Sequence, residues 1–270
     1  MISIIIPTLN EEKFLPKLLD SLVCQTQKDF EVIVVDGSST DKTVELARTF
    51  SSKLPKLEIV EGTKACLPFQ RNLGAKHARG DWLAFVDADS VLMPYFIDRL
   101  NVFIEKTAPV WFTTWCLPDS NSVNDAIFTL FANVFWESML IIKRPVAPGP
   151  LNCIRHDLFR SIGGYNETQA FNEDVEFGLR LTKYGAKLSF LRETLYVWSM
   201  RRIRREGRMK LMNQYILSMI PILLFKRPFK VMPGYVMGGH LYNKKQKSHT
   251  IKVLKSYEKT LKRLAKDFFE

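Results

Sequence analysis

Residues 82–90 read Trp-Leu-Ala-Phe-Val-Asp-Ala-Asp-Ser, an apolar run that stops on two carboxylates one residue apart. The run has the length and composition of a short, wholly buried strand. That sets Asp87 at the strand's C-terminal end, where open α/β sheets place their ligands. Two carboxylates at such a place repel each other unless a cation lies between them. A hard divalent ion supplies that charge, because Mg²⁺ takes one or two protein carboxylates and leaves its other positions to phosphate oxygens and water. By itself the Asp-x-Asp pattern suits a strand end or a helix cap just as well. A second acidic group, Asn172-Glu173-Asp174, opens a segment whose Val175, Phe177, Leu179 and Leu181 include an apolar stripe. Favourable interaction with the helix dipole accounts for one or two of these acids without any chemistry.

The elements that must position these acids are legible in outline. Residues 2–6 form a β-branched run ended by Pro7, and after the polar Asn10-Glu11-Glu12 the apolar Leu15, Leu18, Leu19, Leu22 and Val23 recur at helical spacing. A second strand over 31–35 runs into Asp36-Gly37-Ser38-Ser39-Thr40-Asp41. A helix follows over 43–50, with Ser39, Thr40 or Asp41 available as its cap. Residues 57–60 predict a third strand and 70–78 a third helix. This alternation predicts an α/β fold with a mainly parallel central sheet and helices on both faces. The loops bearing Thr8, Asn10 and Glu11, then Asp36, then Asp87 and Asp89 would converge on one edge of it.

A chain of 270 residues with 46% hydrophobic content can bury a full core. The division expected is one large domain over 1–200 and a basic, helical extension over 201–270. Charge follows that division: residues 201–270 hold 18 Lys and Arg against 4 Asp and Glu, whereas the first 200 are slightly acidic. Cys24, Cys66, Cys116 and Cys153 are scattered, with neither zinc-ligand spacing nor a disulfide framework, which suits a reducing cytosol. Residues 1–7 lack the basic start and the length of a signal peptide, so a cytoplasmic location is expected.

The ordered set Pro7-Thr8-Leu-Asn10-Glu11-Glu12, Val34-Val35-Asp36-Gly37-Ser38, Arg71-Asn72-Leu-Gly74, Asp87-Ala-Asp89-Ser90 and Asn172-Glu173-Asp174 resembles the motifs of family 2 inverting glycosyltransferases of the GT-A fold, over roughly residues 1–200. The resemblance implies a nucleotide-sugar donor, UDP-linked by preference with GDP-sugars compatible, and a Mg²⁺ or Mn²⁺ ion at Asp89. It implies that Asp36 accepts from the nucleobase, that Glu11 lies near base or ribose, and that Pro7, Thr8 and Asn10 help shape the donor pocket. Arg71 would face the donor or its diphosphate, Asp87 the ribose side, and Asp174 would be the catalytic base beside Glu173. One base suffices for a single inverting displacement. The turn Gly163-Gly164, with Glu173, resembles the family's acceptor side, although a glycine helix stop explains the two glycines equally well. The Gln-x-x-Arg-Trp motif of processive members is missing, and Trp198-Ser-Met-Arg201-Arg202 stands in that neighbourhood; transfer of one sugar is expected, with Arg201 a possible contact to the diphosphate.

Two other classes compete. A nucleotidyltransferase making a nucleotide-sugar would need a glycine-rich, basic loop where this chain has Pro7-Thr8-Leu9-Asn10-Glu11. A non-catalytic basic module gripping nucleic acid would need a reading motif, and none accompanies the Lys and Arg residues, so no nucleic-acid partner is expected. Three apolar segments suggest a membrane surface instead: a helix over 124–142, a shorter run over 215–225 interrupted by Pro221, and a stripe of Ile251, Leu254, Leu261, Leu264 and Phe268 among lysines. They could also pack on protein. With no spanning segment, the expectation is a peripheral enzyme on the inner face of an anionic membrane, acting on a lipid-linked or glycan acceptor.

Overall fold

The computed structural model describes residues 1–225, apart from 55, 143, 144 and 170, together with 228. The stripe from Ile251 to Phe268 and residues 248–270 therefore lie outside the described residues. One eight-stranded sheet organises the described residues, in the order β3-β2-β1-β4-β7-β6-β8-β5. Its first half comprises β1 (Ile2–Thr8), β2 (Phe30–Asp36), β3 (Leu57–Glu61) and β4 (Trp82–Val86), all parallel. Every residue of β1 and β2 is buried, as the unbroken apolar runs require when both faces of a sheet are covered.

The two faces sort the side chains by twos. Ile2, Ile4 and Ile6 point into a core completed by Leu15, Leu18, Leu19 and Leu22 of α1 (Leu15–Val23). Ile5 points the other way, to Val35, Phe85 and Ala75 of α3 (Leu67–His77). The close approach of α3 to β1 needs Gly74, where an added Cβ would stand 2.4 Å from Ile5 Cγ2. Helix α3 starts at Leu67, three residues before the expected Gln70, because Pro68 occupies its first turn with the φ that a helix needs. Between β2 and β3, α2 (Thr43–Arg48) is shorter than the expected 43–50.

The second half of the sheet is mixed. After the short β5 (Val91–Leu92) and α4 (Phe96–Thr107) come β6 (Trp111–Pro118), α5 (Val123–Ser138), β7 (Leu151–Arg155) and α6 (His156–Ser161). Then α7 (Glu173–Lys183) leads to β8 (Leu188–Trp198). β7 runs antiparallel to both β4 and β6, while β6 pairs parallel with β8 through two register shifts near Trp115. The mainly parallel expectation holds through the first four strands, and β6 with β8 adds a parallel pair beyond the antiparallel β7.

Past the sheet, α8 (Arg201–Glu206) and α9 (Arg208–Phe225) fold back beside α5 and α7. Pro221 lies inside α9 and does not end it. Helix α5 stops at Ser138, short of the expected 142. No helix among the described residues is long and apolar enough to cross a membrane.

Candidate active site

The C-terminal end of β1, the loop after β4 and the start of α7 surround a cavity of about 660 Å³. Pro7, Thr8 and Glu11 line it from the first loop, Arg71 from α3, Asp87 and Asp89 from the end of β4, Glu173 and Asp174 from α7, and Arg201 from α8. Nine of the residues named from the sequence thus share one wall, although they span 195 positions of chain from Pro7 to Arg201 counted inclusively. Asn10, Asp36, Gly163 and Gly164 are not on that wall.

Asp36 is 3% exposed, and its carboxylate accepts from Ser39 N at 2.8 Å, Ser39 Oγ at 2.5 Å and Thr8 Oγ1 at 3.3 Å. Asn10, at φ 55°, accepts from Thr40 N at 2.7 Å and donates its backbone N–H to Ser39 Oγ. Both residues therefore stitch the loop after β1 to the loop after β2, fixing the floor beside the cavity. Gln70 adds to this: its amide donates to the carbonyls of Thr8 and Val35 at 2.8 Å each. Nothing in the sequence marks Gln70 for this role, since a glutamine one residue before the Arg-Asn-x-Gly run carries no signal of its partners.

Arg71 is 2% exposed. Its guanidinium donates to Glu173 at 3.0 Å, to Asp87 at 3.3 Å and to the carbonyl of Gly149 at 3.1 Å, and lies 5.1 Å from the centroid of the Tyr165 ring. That ring stacks on Phe177 of α7. The side chain expected to face a diphosphate is thus already committed to the carboxylates it holds in place. The Gly163-Gly164 turn serves this arrangement from behind. Gly164, at φ 68°, closes α6 by donating to the carbonyl of Phe159, and Tyr165 N then donates to Asn72 Oδ1. A Cβ at Gly164 would meet Asn72 Oδ1 at 2.6 Å.

Burial raises the carboxyl of Asp174 to about 7, with the neighbouring Glu173 charge adding to the effect and Arg71 opposing it. Asp87 is likewise pushed to about 7 by burial, against the pull of Arg71. A carboxyl poised near neutrality can take up and release a proton at working pH. Asn172, at φ 55°, turns the chain into α7 so that both acids open its first turn; its Nδ2 is buried without a hydrogen-bond partner.

Arg201 spans the mouth of the acidic end. It donates to both oxygens of Glu11 at 2.8 and 2.7 Å, its Nε lies 2.7 Å from Asp89 Oδ2, and its guanidinium carbon sits 4.4 Å from the centroid of the Phe14 ring. Burial raises the Glu11 carboxyl, and Arg201 counters it. Among the described residues no three His, Cys, Asp or Glu side chains cluster as a ready metal cage. A Mg²⁺ or Mn²⁺ ion that takes one protein carboxylate and completes its shell from phosphate and water fits Asp89, whose carboxylate already attracts a cation at the cavity wall.

The far end of the cavity is apolar. Phe128, Phe131, Phe135 and Trp136 of α5 line it with Ile216 and Met219 of α9. The apolar α5 residues suit a membrane surface or packing on protein equally from sequence, because nothing local shows that α5 lines the same cavity as the carboxylates. Arg201, Arg202 and Ile203 also line the cavity, so the segment after residue 200 completes its wall.

Residues 3–137 match the model of the family described as Glycosyl transferase family 2. A PGL/p-HBAD biosynthesis glycosyltransferase of Mycobacterium bovis is 34% identical over 189 residues, which cover 67% of this chain and 69% of the relative. A glycosyltransferase of Haemophilus influenzae is 29% identical over 67% of this chain, and the chain spans only 62% of that relative's length. Among solved structures, Staphylococcus aureus TarS 1-349 in complex with UDP-GlcNAc aligns with a TM-score of 0.62 at 21% identity, covering 84% of this chain and 73% of that one. The mannosyltransferase PcManGT of Pyrobaculum calidifontis, in complex with GDP-Man and Mn²⁺, aligns with a TM-score of 0.59 at 20% identity, covering 82% and 67%. These likenesses show a shared fold.

Proposed function

Since the chain belongs to glycosyl transferase family 2, we propose that it moves one sugar from a nucleoside diphosphate to an acceptor hydroxyl or phosphate, with inversion and without processive polymerisation. The observation that carries this reading is the meeting of Asp87, Asp89 and Arg201 with Asp174, a carboxyl held near 7, on one cavity. UDP-sugars are the first donors to try and GDP-sugars the second, the two classes bound by the structurally similar transferases.

In this reading Asp174 takes the acceptor's proton while the acceptor oxygen attacks the anomeric carbon from the side opposite the diphosphate. Asp89 would hold a Mg²⁺ or Mn²⁺ ion, which would supply charge neutralisation to the diphosphate. Arg201 turns part of its charge to the same group, and Asp87 lies on the ribose side, fixed by Arg71. Pro7 and Thr8 shape the base pocket on the floor that Asp36 and Asn10 hold together. Glu173 keeps Arg71 in place and adds its charge to the field at Asp174.

Residues 1–200 would carry the transfer chemistry, and 201–270 would close the cavity and bring the enzyme to an anionic membrane from the cytoplasmic side. The exposed Ile127, Leu130, Val134 and Ile141 support such a contact, with a lipid-linked or glycan acceptor presented there. The test is release of nucleoside diphosphate from UDP- and GDP-sugars with and without Mn²⁺, followed by NMR of the product's anomeric configuration. A retained configuration, or full turnover in EDTA, would overturn the metal-assisted single displacement.

A further inference from the structure

The apolar end of the cavity bears on what the acceptor is. Phe128, Phe131 and Phe135 recur at spacings of three and four, so they stand on one face of α5, and Trp136 stands beside them. Ile216 and Met219 face them from α9. Phe131 is 70% exposed and Phe135 47% exposed, a large aromatic area for water to meet. The wall extends to the candidate base: Val175, the residue after Asp174, packs with Met139, Val146 and Ile222, and Trp136 and Met219 lie against that cluster. A volume of about 660 Å³ is in the usual range for a small-molecule site. One end is acidic and basic, suited to a metal diphosphate; the other is hydrocarbon and aromatic.

Resting on the transfer reaction above, we propose that the acceptor is an amphiphile whose reacting hydroxyl is carried close to an apolar group, and that this group seats between α5 and α9. The continuity of this wall with the catalytic cavity is what assigns it to the acceptor. A membrane would meet the outer residues of α5, such as Ile127 and Leu130, while the row from Phe128 to Phe135 faces the cavity. The acceptor hydroxyl loses its proton to Asp174 as its oxygen bonds to the anomeric carbon. The bond from that carbon to the donor phosphate oxygen breaks, and its electron pair leaves with the nucleoside diphosphate.

The experiment measures binding, so it does not depend on finding the natural acceptor. The full-length protein, saturated with UDP and Mn²⁺, is titrated with methyl, butyl, hexyl and octyl β-glucosides below their micellar concentrations, with tryptophan fluorescence as the signal. Trp136 and Trp198 both line the cavity. Affinity should rise by about fourfold at most for each methylene seated. The double variant Phe131→Ser/Phe135→Ser should cut the methyl-to-octyl gain to less than about twofold, whereas Phe131→Leu/Phe135→Leu should keep most of it. No gain with chain length, or an equal gain in the serine variant, would overturn the proposal. Crosslinking from a photoreactive group at position 131 supports it if the adduct is the octyl glucoside. A crosslink to a second copy, or to residues 226–270 of the same chain, overturns it by naming another occupant. Failure of UDP to bind at all strikes the donor reading; UDP binding with no dependence on alkyl length strikes only this inference.

Discussion

Replacing Arg71 by Leu separates a residue that holds the site together from one that grips the donor. The guanidinium is 2% exposed and pairs with Glu173 and Asp87, whose side chains are 8% and 32% exposed. Its removal leaves one fully buried and one half-buried carboxylate without their cation, and breaking a buried pair from one side costs about 3–5 kcal/mol. For a domain of this size that lowers the melting temperature by about 6–20 °C. The loss should depend on pH. The Asp174 carboxyl is already held at about 7, above its ordinary value of 3.8, by burial and the neighbouring Glu173 charge, and Arg71 is what restrains it. A carboxyl raised in the folded state weakens the fold as pH climbs from the unfolded value towards the folded one. Without Arg71 the folded value rises further, so the deficit should be largest above pH 7 and shrink towards pH 5. Thermal melts of the wild type, Arg71→Leu and Arg71→Lys at pH 5.5 and 8 measure this directly. Arg71→Lys, which keeps the charge but loses the fork, should fall between the others and bind UDP within a few-fold of wild type. An Arg71→Leu protein that melts within about 2 °C of wild type but no longer binds nucleotide would refute the reasoning and return Arg71 to the diphosphate.

The remaining predictions concern the cavity itself and the membrane. Asp174→Asn should lower kcat by about 10²–10⁴ and leave donor affinity unchanged, because a base acts in the transition state; a collapse of donor affinity with kcat intact would make Asp174 a binding residue. In the wild type, kcat should rise with pH through about 7 as Asp174 loses its proton under the influence of Glu173 on its own helix and of Arg71 and Tyr165 facing it, and a flat profile from pH 5.5 to 8.5 would contradict this. Asp89→Ala should keep the fold by circular dichroism while abolishing Mn²⁺-dependent UDP binding, and undiminished metal-dependent binding would remove Asp89 from the metal site. Arg201→Gln should raise Mn²⁺ affinity in the absence of nucleotide, read by electron paramagnetic resonance, because Asp89 loses the guanidinium that competes for it at 2.7 Å; weaker Mn²⁺ binding would mean that Arg201 positions Asp89 for the ion. In liposome flotation, recovery with anionic vesicles should fall with salt and be lost on deleting residues 248–270, and equal recovery with neutral vesicles would rule out the charge-driven contact.

What was legible in the sequence follows from how local its cause is. β1, β2 and β4 are strands covered on both faces, so their burial is written as unbroken apolar runs, and the strand 82–86 was read to the residue. β6 and β8 were not legible. Thr113 and Thr114 interrupt the first, and Arg192 and Glu193 the second, because each strand also carries polar partners: Thr113 donates to the carbonyl of Leu151, and Glu193 accepts from Arg99. Their order in the sheet depends on pairings that no local pattern encodes, above all the antiparallel insertion of β7 between β4 and β6.

The candidate site divides along the same line. Its acids were visible because a carboxylate after a buried strand, or in the first turn of a helix, is a local oddity. Which cation each acid meets was not visible: Glu173 reaches back 102 residues to Arg71, and Arg201 reaches 190 residues to Glu11. From sequence both Arg71 and Arg201 were candidates to meet the donor's diphosphate, and nothing local showed which carboxylates each would pair with. Burial sets the two apart physically. A guanidinium at 2% exposure with three acceptors already engaged has little freedom to meet a ligand. One at 16% exposure, laid across Glu11 and Asp89 at the cavity mouth, can exchange a carboxylate for a phosphate without leaving a charge stranded. The donor and its metal would bring both halves of that exchange at once, phosphate for Arg201 and a cation for Asp89, so the charge balance of the acidic end is kept whether the cavity holds a donor or not.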